Sequence, residues 1–150
     1  MRAIIQRVRT AKVTMNGELV SAIGRGLCVL LGIKNDDTTC DLEYIVRKIL
    51  NIRLFDADGQ RWRKSVKDKD FEVLCVSQFT LFATLKGNKP DFHQSMGGDE
   101  AKAMYTDFLR AMKEGYQEDR IKNGRFGEYM QVHIENDGPV TITLDSRATK

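Results

Sequence analysis

Apolar and polar residues alternate most plainly near the C-terminus. In GEYMQVHIE, Met130, Val132 and Ile134 fall on one side and Gln131, His133 and Glu135 on the other; in VTITL, Val140, Ile142 and Leu144 oppose Thr141 and Thr143. A period of two is that of a half-buried strand. The same reading makes strands of AIIQRV, Ala3 to Val8, and KVTM, Lys12 to Met15, followed by an Asn16-Gly17 turn into LVSAIG. An Asn-Gly pair between two such runs signals a hairpin. The runs LCVLLGI, from Leu27, and FEVLCV, ending before Ser77, are apolar throughout and predict buried strands, and NIRLFDADGQRW predicts a strand and a turn at Asp58-Gly59.

Helical spacing occurs twice. Leu42, Ile45, Val46, Ile49 and Leu50 follow a Thr38/Asp41 pair spaced like a capping box, and Ala101, Met104, Tyr105, Phe108, Leu109 and Met112 form a second stripe. KGNKPDFH, with Gly87 and Pro90, reads as a loop. Many strands with two isolated helices predict an α+β domain whose sheets curl into a barrel, with residues 1–150 forming a single unit free of repeats or linkers.

Composition changes this picture little. With 150 residues, 41% hydrophobic and 30% charged, the chain has the make-up of an ordinary globular domain, and its net charge of +3 permits a polyanionic partner without demanding one. LCVLLGI is far too short to span a bilayer and MRAIIQRVRT lacks a signal-peptide core, so a cytoplasmic protein with no membrane partner is expected. Cys28, Cys40 and Cys75 have no metal-like spacing, and Cys28 and Cys75 lie inside apolar runs, so reduced thiols are expected.

Familiar catalytic machinery is missing from the sequence: there is no Walker loop, GxSxG elbow, HExxH or CxxC. His133 falls on the outward side of its strand. A Ser77, His93, Asp91 triad can be drawn, although Asp91 and His93 stand only two residues apart. Asp56, Asp58 and Gly59 superficially echo a calcium loop whose other ligand positions are absent, and a solvated turn is the preferred reading. No metal and no cofactor is expected.

Two stretches remain unexplained by strand formation. In SQFTLF, Ser77 to Phe82, a buried strand runs into two hydroxyls and an amide; in NDGPVT, a glycine and one of only two prolines precede a strand. Taken singly, the first can be a strand end bonded to nearby backbone and the second a plain turn. As a pair they resemble the signature stretches of the D-aminoacyl-tRNA deacylases, also called D-tyrosyl-tRNA deacylases. RAIIQRV, GLCVLLGI, KGNKPDFH and GRFGEYMQV look like the same family in the same order.

The resemblance implies hydrolysis of the ester joining a D-amino acid to the terminal ribose of tRNA, and of glycine too. It implies a homodimer that needs no cofactor and binds the 3′-terminal adenosine and attached amino acid. The catalytic wall would be Ser77, Gln78, Phe79 and Thr80, with backbone amides around Phe79 and Thr80 as oxyanion donors and the neighbouring ribose hydroxyl assisting. The Gly138-Pro139 bond would be cis, reaching from one subunit into the other's pocket to exclude the L hand. Arg7 would brace that loop, Met130 would help hold it, and Phe126 would face the adenosine. Each of these has a plainer alternative: an exposed strand charge for Arg7, a core residue for Met130, a loop anchor for Phe126. A related family acting on L-amino acids carries PQAT where this chain has SQFT, which places Ser77 and Phe79 with the D-specific group. Two other functions stay open on the residues alone, a non-catalytic nucleic-acid-binding module and an acyl hydrolase with Thr80 or Ser77 as nucleophile.

Overall fold

A computed structural model describes residues 1–148. Its strands and helices run, in chain order, β1 (Arg2–Met15), β2 (Glu18–Ile23), β3 (Gly26–Gly32), α1 (Thr39–Asn51), β4 (Phe55–Ala57), β5 (Gln60–Lys64), β6 (Glu72–Ser77), β7 (Thr84–Lys86), β8 (Lys89–Asp91), α2 (Gly98–Gly115), β9 (Ile121–Asn123) and β10 (Gln131–Asp145). Six strands form the main sheet, in the order β10-β1-β3-β6-β9 with β2 added to the far half of β1; β4-β5 and β7-β8 are separate hairpins. The sheet curls until β2 meets β9, where the Ser21 hydroxyl donates to the Asn123 carbonyl at 2.7 Å. The expected α+β architecture, a barrel-like sheet with two helices, is the one found.

The sheet is a wall with a core on each side. Leu27, Val29 and Leu31 of β3 and Val73 and Cys75 of β6 pack towards α1 and α2, around Ile45, Ile49, Tyr105 and Phe108. Cys28, Leu74 and Val76 point into the barrel with Val8, Val13 and Ile23. A strand covered on both faces has no polar side to show, which is why these two read as unbroken apolar runs. Burial pushes the Cys28 thiol up to about 11, and all three cysteines are free. Both helices lie where their apolar stripes predict, and Asp41 accepts from the Thr38 N–H at 2.9 Å at the start of α1.

Two expectations at the ends of the chain need correction. AIIQRV and KVTM are one continuous strand, and so are the last two alternating segments. Alternation alone would put Ala11 and Val13 on the face of Ala3 and Ile5. A bulge between Val8 and Thr10 shifts the phase by one residue, so Ala11 and Val13 join Val8 inside the barrel. The second irregularity is larger. Between the pairs Gln6↔Thr141 and Val8↔Asn136, β1 contributes Arg7 alone while Asp137, Gly138, Pro139 and Val140 bow out of β10. The Gly-Pro pair is therefore not a turn leading into a strand but a bulge inside one. KGNKPDFH, expected as a loop, holds the end of β7, the turn and all of β8 in the β7-β8 hairpin, and the short β9, parallel to β6, carries no pattern in the sequence.

Candidate active site

The strand β6 ends at Ser77, paired with Leu31 of β3, and the chain then turns through a single 3₁₀ segment, Phe79–Phe82. Three contacts fix this turn. The Gln78 N–H donates to the Leu31 carbonyl at 2.7 Å. Gly32 lies so close beneath that a β-carbon there would sit 2.8 Å from Leu81 Cβ and 3.1 Å from the Gln78 carbonyl oxygen. The Ser95 hydroxyl donates to the Phe79 carbonyl at 2.8 Å.

These contacts dictate where two amides point. The Gln78 carbonyl accepts from Leu81 N–H at 3.3 Å, and the Phe79 carbonyl accepts from Ser95. In a planar trans peptide the N–H lies opposite its carbonyl, so the N–H groups of Phe79 and Thr80 are aimed away from these partners. Neither has an acceptor among the described residues. The Thr80 hydroxyl is engaged differently, taking a hydrogen bond from Gln78 Nε2 at 2.5 Å.

Ser77, Gln78 and Phe79 line a cavity of about 650 Å³ together with Phe126 and Met130. Phe79 is 53% exposed and meets Phe92 edge to face at 4.9 Å. Phe126 packs on Tyr105 at 5.6 Å, and the Met130 sulfur accepts from the Arg125 N–H at 3.2 Å. The site thus unites residues separated by about fifty positions, Ser77, Gln78 and Phe79 with Phe126 and Met130, while Thr80 is not among its lining residues and the second motif is not part of it. Phe92, Ser95, Glu128 and Tyr129 also line it and were missed: Phe92, Glu128 and Tyr129 lie in KGNKPDFH and GRFGEYMQV, whose resemblance assigns them no role, and Ser95 lies outside every stretch that carries the resemblance. Among the described residues Glu128 is the one carboxylate on the lining, and no histidine is on it.

The imagined triad is not assembled. His93 Nδ1 bonds to Asp91, holding that carboxyl down to about 2, but no hydrogen bond joins His93 to Ser77. Asp58 and Gly59 form the turn between β4 and β5, and no group of three or more potential metal ligands converges among the described residues. No helix among them is long and apolar enough to cross a membrane.

Gly138 and Pro139 lie elsewhere. Their peptide bond is cis, and they line a separate concavity of about 340 Å³ with Arg7, Asp56, Arg61, Trp62 and Val140. Arg7 Nε donates to the Asp137 carbonyl at 3.1 Å and Nη1 to the Leu54 carbonyl at 2.6 Å, while the Asp137 carboxylate lies 3.5 Å from Arg7 and 3.7 Å from Arg25. Arg7 and the Gly-Pro bulge are therefore brought together. Met130 is not beside that bulge within one chain, and the two concavities share no residue.

Comparison with known proteins accords with this geometry. A family model described as D-Tyr-tRNA(Tyr) deacylase matches residues 4–145. A Drosophila melanogaster D-aminoacyl-tRNA deacylase is 62% identical over 150 residues, covering 100% of this chain and 95% of that one. Among solved structures, one described as c-Myc DNA Unwinding Element Binding Protein superposes with a TM-score of 0.95 at 58% identity, over 99% of this chain and 100% of the other. Another, described as a probable eukaryotic D-amino acid tRNA deacylase, gives 0.83 at 21% identity over 95% and 97%, a likeness of fold. On the strength of a match spanning nearly the whole chain and of identity this high, the protein belongs to the D-Tyr-tRNA(Tyr) deacylase family, a family of hydrolases.

Proposed function

We propose that the chain is a single catalytic domain that works as a cytoplasmic homodimer, hydrolysing the ester between a D-amino acid, or glycine, and the terminal ribose of tRNA. The observation that carries this reading is the pair of free amides, Phe79 N–H and Thr80 N–H, at a pocket with no acid–base pair. An aminoacyl ester is already activated, so its hydrolysis needs a placed water and donors for the developing oxyanion more than it needs a strong nucleophile. Two amides whose peptide planes are fixed by their own carbonyls supply such donors without reorganising. The ribose hydroxyl next to the ester then assists, and Phe126 faces the adenosine.

Chirality is read by exclusion. Gly138 and Pro139 present backbone rather than side chains, and their carbonyls receive the substrate ammonium while leaving no room for an L side chain. Within one chain this bulge lies outside the pocket, and that separation supports entry of the bulge from a second subunit. A nucleophilic Thr80 is disfavoured because its hydroxyl bonds to Gln78 and, among the described residues, no carboxylate or imidazole hydrogen-bonds to it.

The deciding experiment compares release of D- and L-tyrosine from the same tRNA. Rapid release of the D residue alone is expected; equal rates, or none, overturn the proposal.

A further inference from the structure

The β4-β5 hairpin supplies Asp56, Arg61 and Trp62 to the concavity beside the Gly-Pro bulge, and its second strand carries an unusual surface. All five residues of β5, Gln-Arg-Trp-Arg-Lys, are exposed. Trp62 is half out in solvent at 50%, and its backbone adopts φ +61°. A bulky residue in that left-handed region is an outlier, and burying an indole is worth kilocalories that this site forgoes. Its neighbours are equally uncommitted. Arg61, Arg63 and Lys64 take part in no ion pair among the described residues, whereas Arg7, Arg25, Arg120 and Arg147 all do. Arg53, Lys67 and Lys69, on the flanking segments, are exposed as well.

We infer that this hairpin is an RNA contact, with the Trp62 indole stacking on an unpaired base and Arg61, Arg63 and Lys64 holding the adjacent phosphates. An aromatic face flanked by free cations is the arrangement that binds single-stranded nucleic acid without reading sequence, and a protein partner would leave the cluster of unpaired cations unexplained. The location narrows the target. Arg61 and Trp62 line the same concavity as Gly138 and Pro139, so an RNA whose acylated end meets the Gly-Pro bulge passes its next unpaired nucleotides over the hairpin. That identification of the RNA rests on the proposed tRNA substrate; the contact itself rests on the hairpin.

Trp62 is the single tryptophan of the chain, so its emission reports on the hairpin alone. The full-length protein is titrated with uncharged tRNA at several salt concentrations, with filter binding in parallel. Saturable quenching that tracks binding is expected. The triple variant Arg61→Ala, Arg63→Ala, Lys64→Ala should flatten the slope of log K against log salt by about 2, at roughly 0.7 per lost single-strand phosphate contact. Trp62→Ala should raise KM for D-tyrosyl-tRNA about tenfold or more with a smaller change in kcat. Unchanged emission while tRNA is bound overturns the inference, as does an unaltered salt slope. So does an emission change on diluting the protein without RNA, which would make Trp62 a subunit contact. The two proposals fail separately: quenching without D-tyrosyl-tRNA hydrolysis sinks the activity and keeps the contact, and hydrolysis without quenching does the reverse.

Discussion

The Ser95 hydroxyl holds the Phe79 carbonyl at 2.8 Å, and in doing so it aims the N–H on the other side of that peptide, which belongs to Thr80. A serine outside both sequence motifs thereby orients a backbone donor inside one of them.

Ser95→Ala should therefore slow the reaction without weakening binding. The freed peptide can rotate, and losing the aim of one oxyanion donor costs up to 10²–10³ in kcat when the donor is removed outright. About a tenfold to hundredfold fall in kcat is expected, with KM nearly constant, measured by single-turnover release of D-tyrosine from tRNA. Ser95→Thr, which keeps the hydroxyl, should restore most of the rate.

Thr80→Ala keeps the amide and discards only the hydroxyl. Activity within about tenfold of the parent is expected, whereas a true nucleophile would lose several powers of ten. Capture of an acyl-enzyme on Thr80 would refute the backbone mechanism.

Gly138→Ala tests the bulge. A β-carbon there would lie 2.9 Å from Val140 Cγ2 and 3.0 Å from Val140 N, at a φ of +131° that side chains rarely adopt. The strain, on the order of 1–3 kcal/mol, falls on a segment that already stands clear of the ladder, so the domain should stay folded and melt a few degrees lower. Hydrolysis of D-aminoacyl-tRNA should fall about a hundredfold, and the surviving activity should discriminate less between the two hands. Parent-like rates and chirality in the folded variant would count against the filter.

Acid should loosen the junction between α1 and the end of β10. Partial burial pushes the Asp41 carboxyl up, but hydrogen bonds from Ser146, the Thr38 N–H and Arg147 outweigh it and hold the group well below the usual range. A carboxyl whose folded pKa is depressed contributes stability above its unfolded value, about 3.9, and loses it as pH falls through the folded one. Urea midpoints should thus be flat near neutrality and decline below about pH 4, and Asp41→Asn should reduce that decline while lowering stability at pH 7.

Much of this fold could be read from alternation and spacing, because β3, β6, α1 and α2 are defined by which of their faces are buried. The site was legible only through its two motifs. Gly138 and Pro139 look like a strand-leading turn because local preference is all a short window contains; their place in a bulge depends on the register of β10 against β1, whose pairs Gln6↔Thr141 and Val8↔Asn136 leave them looped out, and no window records that register. Ser95 and Trp62 escaped for opposite reasons. The first acts through a single hydroxyl reaching a distant carbonyl, and the second differs from a core tryptophan only in being left uncovered.

The two-sided covering of β3 and β6 also sets a hierarchy in time. Amide protons of β3, paired on both edges by β1 and β6 and roofed on both faces, can exchange with deuterium only when the whole sheet opens. The β4-β5 and β7-β8 hairpins are two-stranded ribbons outside that sheet, so they open alone and exchange first. The molecule therefore pairs a slowly exchanging frame, from which the Ser77–Thr80 turn is suspended, with a quickly exchanging fringe at the site where we place the RNA.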